Sequence, residues 1–200
     1  MKTIKETTIV SEIIKKSIFT CHLFPIESQN DAKKKLEALK LAYPDATHYC
    51  YAYIIGSNQA IYKYDDDNEP HQTAGVVIYD VLKKNKLSNC MAIVIRYFGG
   101  IKLGAGGLTR AYRMVSAKAV KEALLVPLVE WITFGLRCRY EDWQLVERRC
   151  TPSLIIEKTF DEEVRCLVRV EKPDQGALIH DLIEITKNTI EFFPFSKGDD

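Results

Sequence analysis

Residues 90–125 read CMAIVIRYFGGIKLGAGGLTRAYRMVSAKAVKEALL, an apolar run, a glycine-rich turn and a periodic run in direct succession. The first part predicts a strand over 89–97 and the last a helix over 107–124. Five of the chain's ten glycines, Gly99, Gly100, Gly104, Gly106 and Gly107, lie in the nine residues 99–107. Glycine loses more backbone entropy on folding than any other residue, but it reaches positive φ and lets another group approach the main chain. At a strand-to-helix turn, free N–H groups and the helix dipole favour an anion. Arg96, Lys102 and Arg110 flank this turn. The alternative is purely structural: a tight turn that lets helix and sheet pack closely.

Charge points the same way. The net charge of +1 hides 18 Lys and Arg against 12 Asp and Glu in residues 1–128, and 10 against 15 in residues 129–200, or about +6 and −5. From Arg96 to Lys121 there are six basic residues and no acidic one, which suits a phosphate-bearing partner. Lys118 and Lys121 fit a solvated helix face equally well. Tyr97, Phe98 and Tyr112 beside the loop are candidates for stacking on bases, although strand alternation buries some of them.

The chain's 200 residues allow one large or two small domains burying roughly 70% of the unfolded surface. Composition is that of a soluble globular protein, with 46% hydrophobic and 28% charged residues. No apolar run approaches a membrane span, and MKTIKETTIVSEIIKKS lacks the apolar core of a signal peptide, so a cytoplasmic location is expected. Six scattered cysteines form no C-x-x-C pair, which argues against zinc and for reduced core residues.

Before the glycine loop, periodicity predicts strands near 3–10 and 17–25, a helix over 28–43, strands near 47–56 and 59–64, and a helix over 73–85. This is an α+β sandwich of sheet and helices, since strands are too often adjacent for a doubly wound parallel sheet. Pro127 marks a boundary between domains 1–127 and 128–200. Beyond it the order is β-α-β-β-α-β, the ferredoxin-like split unit. SKGDD at 196–200 is expected to fray.

A second conspicuous stretch, YDDDNEPHQTAG at 64–75, places four acids within five residues before a helix. Asp66, Asp67 and Glu69, with Asp65, are candidates for holding Mg²⁺ in a phosphoryl-transfer site, with the glycine loop holding phosphate. Otherwise they form a turn in which Thr73 or Glu69 helps start the following helix. His71 is a candidate general base without a neighbouring orienting group. His48 and Cys50 point to one face of a strand, as a thiolate–imidazole pair or as core. No G-x-S-x-G occurs. The glycine loop matches neither G-x-x-x-x-G-K-[ST] nor G-x-G-x-x-G, because Thr109 occupies the last glycine position.

ATHYCYAY at 46–53, DDDNEPHQTAG at 65–75 and RYFGGIKLGAGGLTRAY at 96–112 resemble the IMPACT/YigZ family in order and spacing. The resemblance covers essentially the whole chain. It implies a first domain with the fold of ribosomal protein S5 domain 2, also seen in elongation factor G, and a ferredoxin-like second domain. Eukaryotic members are known as translation regulators that bind a ribosome-associated activator of a stress kinase, while bacterial members have no settled activity. Where the family has D-D-G-E-P-S-G-T-A-G, this chain has Asn68, His71 and Gln72 in place of Gly, Ser and Gly. Asparagine tolerates a left-handed backbone, whereas His71 and Gln72 add bulk to the loop.

These observations lead to a non-enzymatic, translation-linked protein that binds RNA or ribosome-associated factors without a cofactor. Its expected site comprises Arg96, Gly99, Gly100, Lys102, Gly104, Gly106, Gly107 and Arg110, with Asp66, Asp67, Glu69, His71 and Thr73 as a second loop. The rival is a metal-assisted hydrolase or transferase using Mg²⁺ on a phosphorylated small molecule. A third reading is a protein–protein module that offers the acidic C-terminal domain to a protein partner.

Overall fold

A computed structural model describes residues 1–195; the fraying expected at 196–200 lies outside the described residues. The chain divides into two compact units, the first spanning Met1–Leu128 and the second beginning at Val129.

In the first unit, β1 (Lys2–Ile4), β2 (Thr8–Ile14), β3 (Ser17–Pro25), α1 (Gln29–Ala42), β4 (His48–Ile55), β5 (Ile61–Asp65), α2 (Gly75–Lys84), β6 (Cys90–Tyr97), α3 (Ala105–Glu122) and β7 (Leu125–Pro127) follow one another. Five strands form one sheet in the order β2-β3-β6-β4-β5, with every neighbour antiparallel. The central strand β6 is buried through Arg96, which explains its unbroken apolar run, because a strand covered on both faces has no polar side to show. Its alternate residues differ in size. Cys90, Ala92 and Val94 join the core built with α2 and α3, while the bulkier Met91, Ile93 and Ile95 fill the core on the α1 side. Helix α1 is capped by Ser28, whose Oγ accepts from the Asp31 amide at 3.1 Å.

The strand expected near 3–10 is two strands. Lys5, Glu6 and Thr7 interrupt it, and β1 leaves the main sheet to pair antiparallel with β7. That pairing joins residues more than a hundred positions apart, such as Ile4 and Leu125. Local periodicity carries no trace of such a contact.

In the second unit, β8 (Trp131–Cys138), α4 (Tyr140–Arg149), α5 (Thr151–Leu154), β9 (Ile155–Phe160), β10 (Val164–Glu171), α6 (Gln175–Ile185) and β11 (Glu191–Pro194) build an antiparallel sheet in the order β11-β8-β10-β9. Its core joins Phe134, Leu136, Val164, Val168, Leu178 and Leu182. Among the described residues, no helix is long and apolar enough to cross a membrane.

All six cysteines are buried free thiols. Burial pushes Cys21, Cys90 and Cys166 up to about 12, and Cys138 and Cys150 up to about 11. Cys50 rises as well, chiefly by burial. A thiol whose folded pKa lies above its unfolded value contributes stability that is present below the unfolded pKa and lost as pH rises through the folded one. The chain is therefore expected to lose stability between about pH 9 and 12, and to resist alkylation at pH 8 until denatured. Thiol counting with and without denaturant, and melting curves across that window, check both outcomes.

Candidate nucleic-acid interface

Arg96 occupies the position on β6 that continues the row Cys90, Ala92, Val94, and so points toward α3 rather than to solvent. It is 4% exposed. Its guanidinium lies over the Phe19 ring at 5.3 Å, and Phe19 meets Tyr112 of α3 edge-on at 5.3 Å. Such a charge needs a buried partner. Glu69 supplies it: Oε1 accepts from Arg96 Nη1 at 2.6 Å and from the Tyr112 hydroxyl at 2.8 Å. His48 Nε2 stands 3.9 Å from the same oxygen. Burial raises the Tyr112 phenol pKa, with the neighbouring Cys50 and Glu69 adding to the shift, so Tyr112 acts here as a neutral donor.

The acidic loop thus closes under the glycine loop, and Asp66, Asp67 and Glu69 accept hydrogen bonds from the fold, while Asp65 stays exposed. Asp66 Oδ1 accepts from the Ala74 and Gly75 amides at 3.0 and 2.8 Å, and Oδ2 accepts from the Gln72 amide at 2.8 Å. Asp66 therefore satisfies the start of α2 from eight residues upstream, the role expected of Thr73 or Glu69. Asp67 Oδ2 accepts from the Tyr49 amide at 2.6 Å. Thr73 is buried and donates to the Pro70 carbonyl at 2.6 Å. Among the described residues, no three His, Cys, Asp or Glu side chains form a group able to hold a metal.

His48 and Cys50 each serve this loop rather than each other. His48 Nδ1 donates to the Asp67 carbonyl at 2.8 Å, and Cys50 Sγ donates to the Asp66 carbonyl at 3.0 Å and lies 3.3 Å from the Tyr112 hydroxyl. His71 stands outside, with an 89% exposed side chain 3.8 Å from Asp66 Oδ2. Asn68 and Gln72 adopt left-handed φ of 67° and 60°. The asparagine fits that conformation and the glutamine is strained in it.

The five loop glycines separate by cause. A Cβ on Gly99 would stand 2.0 Å from the Lys16 carbonyl carbon, and its amide donates to Ser17 Oγ at 3.1 Å. This glycine bolts the loop to the turn between β2 and β3. Gly107 packs against Leu103, where a Cβ would meet the leucine Cβ at 2.9 Å. Gly100 and Gly104 have positive φ of 79° and 72° with open space about them. Gly106 has neither reason, since a Cβ there would meet only Arg110 Nη1 at 3.8 Å.

Arg96, expected at the anion-facing surface, is thus an interior residue. Lys102 and Arg110 are exposed as expected, and Arg113 joins them. Sequence alone missed Lys15 and Lys16, whose hairpin turn Gly99 packs against. None of these five cations has an ion pair among the described residues, whereas Lys118 is bound to Glu12 at 2.6 Å. A signal was available: a Lys-Lys pair between two strand patterns is an unusual choice for a two-residue turn.

The architecture is a mixed α/β protein of two units in which an acidic loop locks a glycine loop between strand and helix. Residues 15–120 match the Impact N-terminal domain, and the chain belongs to the IMPACT family. It is similar to IMPACT family member YvyE of Bacillus subtilis (strain 168), 38% identical over 190 residues that cover 92% of this chain and 86% of the relative. It is 31% identical over 171 residues to IMPACT family member YigZ of Escherichia coli (strain K12), covering 83% and 82% of the two chains. A crystal structure of a hypothetical protein has the same fold at a TM-score of 0.75 and 24% identity, with 98% of each chain covered.

Replacing Arg96 by Ala strands a buried carboxylate and is expected to cost about 3–5 kcal/mol, whereas Lys102→Ala stays within about 0.5 kcal/mol. Denaturant titration of the two variants checks this contrast. Gly106→Ala should raise stability by about 0.5–1 kcal/mol, while Gly99→Ala lowers it by at least about 1–3 kcal/mol. Thermal melts of this second pair test the division of the glycines.

Proposed function

We propose that this protein is a non-enzymatic, translation-linked binding protein that contacts RNA or a ribosome-associated partner through the cationic surface around its glycine loop. The observation that carries the reading is the sorting of charge at this site. The carboxylates of Asp66, Asp67 and Glu69 are engaged by protein donors, while Lys15, Lys16, Lys102, Arg110 and Arg113 stand exposed without acidic partners among the described residues. A surface of one sign attracts a polyanion. Membership of a family whose eukaryotic members regulate translation supports the same conclusion.

Against the metal-assisted alternative, Asp66, Asp67 and Glu69 each already accept a backbone or arginine N–H, and no metal-holding group of three such side chains occurs among the described residues. We further infer that residues 1–127 have the ribosomal protein S5 domain 2-like fold and residues 128–200 the ferredoxin-like fold. The β-α-β-β-α-β order with strands arranged β11-β8-β10-β9 supports the second assignment. A cytoplasmic location belongs with this function.

Binding to RNA or to ribosomes should weaken steeply with salt. In Lys102→Ala/Arg110→Ala, affinity should fall, and the slope of log affinity against log salt should drop by roughly 0.7 for each lost phosphate contact to single-stranded RNA. Salt-titrated anisotropy and ribosome co-sedimentation measure both. Wild-type protein that binds neither target at low salt, or a double variant identical to wild type, overturns the proposal. Capture of a protein partner by the acidic second unit alone would replace it with the interaction-module reading.

A further inference from the structure

We propose that the ligand of this surface is single-stranded RNA, with Phe98 as a base-stacking platform and the Lys15–Lys16 hairpin turn as an arm that holds the phosphates. The inference rests on the RNA reading above and narrows it to one kind of RNA and a specific set of residues.

Phe98 comes first because it is an exposed aromatic ring held in place. It is 46% exposed, yet its amide donates to Thr47 Oγ1 at 3.1 Å and the buried Arg96 guanidinium lies 5.5 Å from its ring centroid. Gly99, the next residue, is locked against Lys16. The ring therefore has little freedom to lose when it binds, which favours stacking. Of the other two aromatic candidates, Tyr97 is partly buried against the core on the α1 side, and Tyr112 is buried beneath the loop and engaged by Glu69.

The hairpin turn is the second observation. Ile14 pairs with Ser17, so Lys15 and Lys16 alone make the connection, with φ of 46° and 65°. Both positions call for Asn, Asp or Gly, because a longer side chain in the left-handed region is strained. Two lysines there sacrifice stability and place two charges at the tip, next to the glycine loop. Strain of this kind concentrates at functional sites.

Between this turn and α3 runs a groove of about 230 Å³, lined by Ile14, Lys15, Leu103, Gly107, Arg110 and Met114. Its floor is apolar and its rim carries a lysine and an arginine, which suits a base or sugar flanked by phosphate. Gly106 sits in the adjoining turn of α3 with no intramolecular need to be glycine, and leaves the main chain open to approach. Cations alone would equally serve an acidic peptide. An exposed ring among cations favours nucleic acid, because every unpaired base offers a face to stack while a carboxylate chain offers none. Duplex RNA keeps its bases stacked on one another, so the ring selects single strands.

The test uses the full chain and fluorescein-labelled RNA, comparing an oligouridylate of about 12 nucleotides with a duplex of the same length. Phe98→Ala should weaken single-strand binding about tenfold and leave duplex binding unchanged, while Phe98→Trp retains it. Lys15→Asn/Lys16→Gly should raise the melting temperature and still weaken single-strand binding, with a smaller salt slope. If Lys102→Ala/Arg110→Ala weakens RNA binding but neither the Phe98 nor the hairpin variants do, this inference fails and the RNA reading survives. If wild-type protein binds neither RNA, both fall. Equal losses for single strand and duplex on Phe98→Ala would overturn stacking. Polyglutamate bound as tightly as the oligouridylate, with the same dependence on Phe98 and the hairpin, would overturn RNA in favour of an acidic peptide.

Discussion

The buried contact between Glu69 and Arg96 organises the first unit. One carboxylate oxygen receives the guanidinium from the central strand and the phenol from α3, so three distant pieces of chain meet at a point about as dry as the apolar core. Removing two charges from water is costly, and their attraction offsets it only when geometry and additional hydrogen bonds are good. Here the Tyr112 hydroxyl, the Phe19 ring and Ser17 complete the surroundings. Arg96 Nε remains without a partner. A network of this sort fixes where loops stand more than it adds to stability.

The two loops flanking this pair depend on it in different ways. The acidic loop wraps inward: Asp66 satisfies the start of α2, Asp67 ties to the backbone of β4, and Glu69 reaches the core. The Glu69 charge is thereby withdrawn from the surface, Asp66 and Asp67 are half-buried, and Asp65 stays exposed. The glycine loop then rises over the pair and is pinned to the Lys15–Lys16 turn through Gly99. Around the glycine loop, Lys15, Lys16, Lys102, Arg110 and the Phe98 ring reach solvent. This distribution of charge is the physical basis of the proposal that the partner is a polyanion.

Much of the architecture was legible in the residues. The apolar run 90–97, the helical period beyond the glycines and the two strand-strand-helix successions mark most element positions, because periods of 2 and 3.6 are local properties. Gly104 and Asn68 also adopt the backbone conformations that their identities favour. The glycine loop was legible as special but not as composite. Steric need at Gly99 and Gly107, positive φ at Gly100 and Gly104, and the absence of either at Gly106 become distinct only when the neighbouring chain is in place.

Most elements and their order, and the two loops whose composition departs from ordinary turns, follow from local sequence, whereas the division of the first strand and the short strand β7 do not. Only the tertiary structure decided which charges those loops show. Arg96 and Glu69 look like surface residues in any local window, yet they are 27 positions apart and buried together, and Tyr112 joins from 43 positions away. Lys15 and Lys16 are an unusual pair for a tight turn, but nothing local shows that Gly99, some 80 residues later in the chain, packs against them. A side chain's charge is written in its residue type. Whether that charge faces water or a buried partner depends on contacts between remote parts of the chain, which no local pattern encodes.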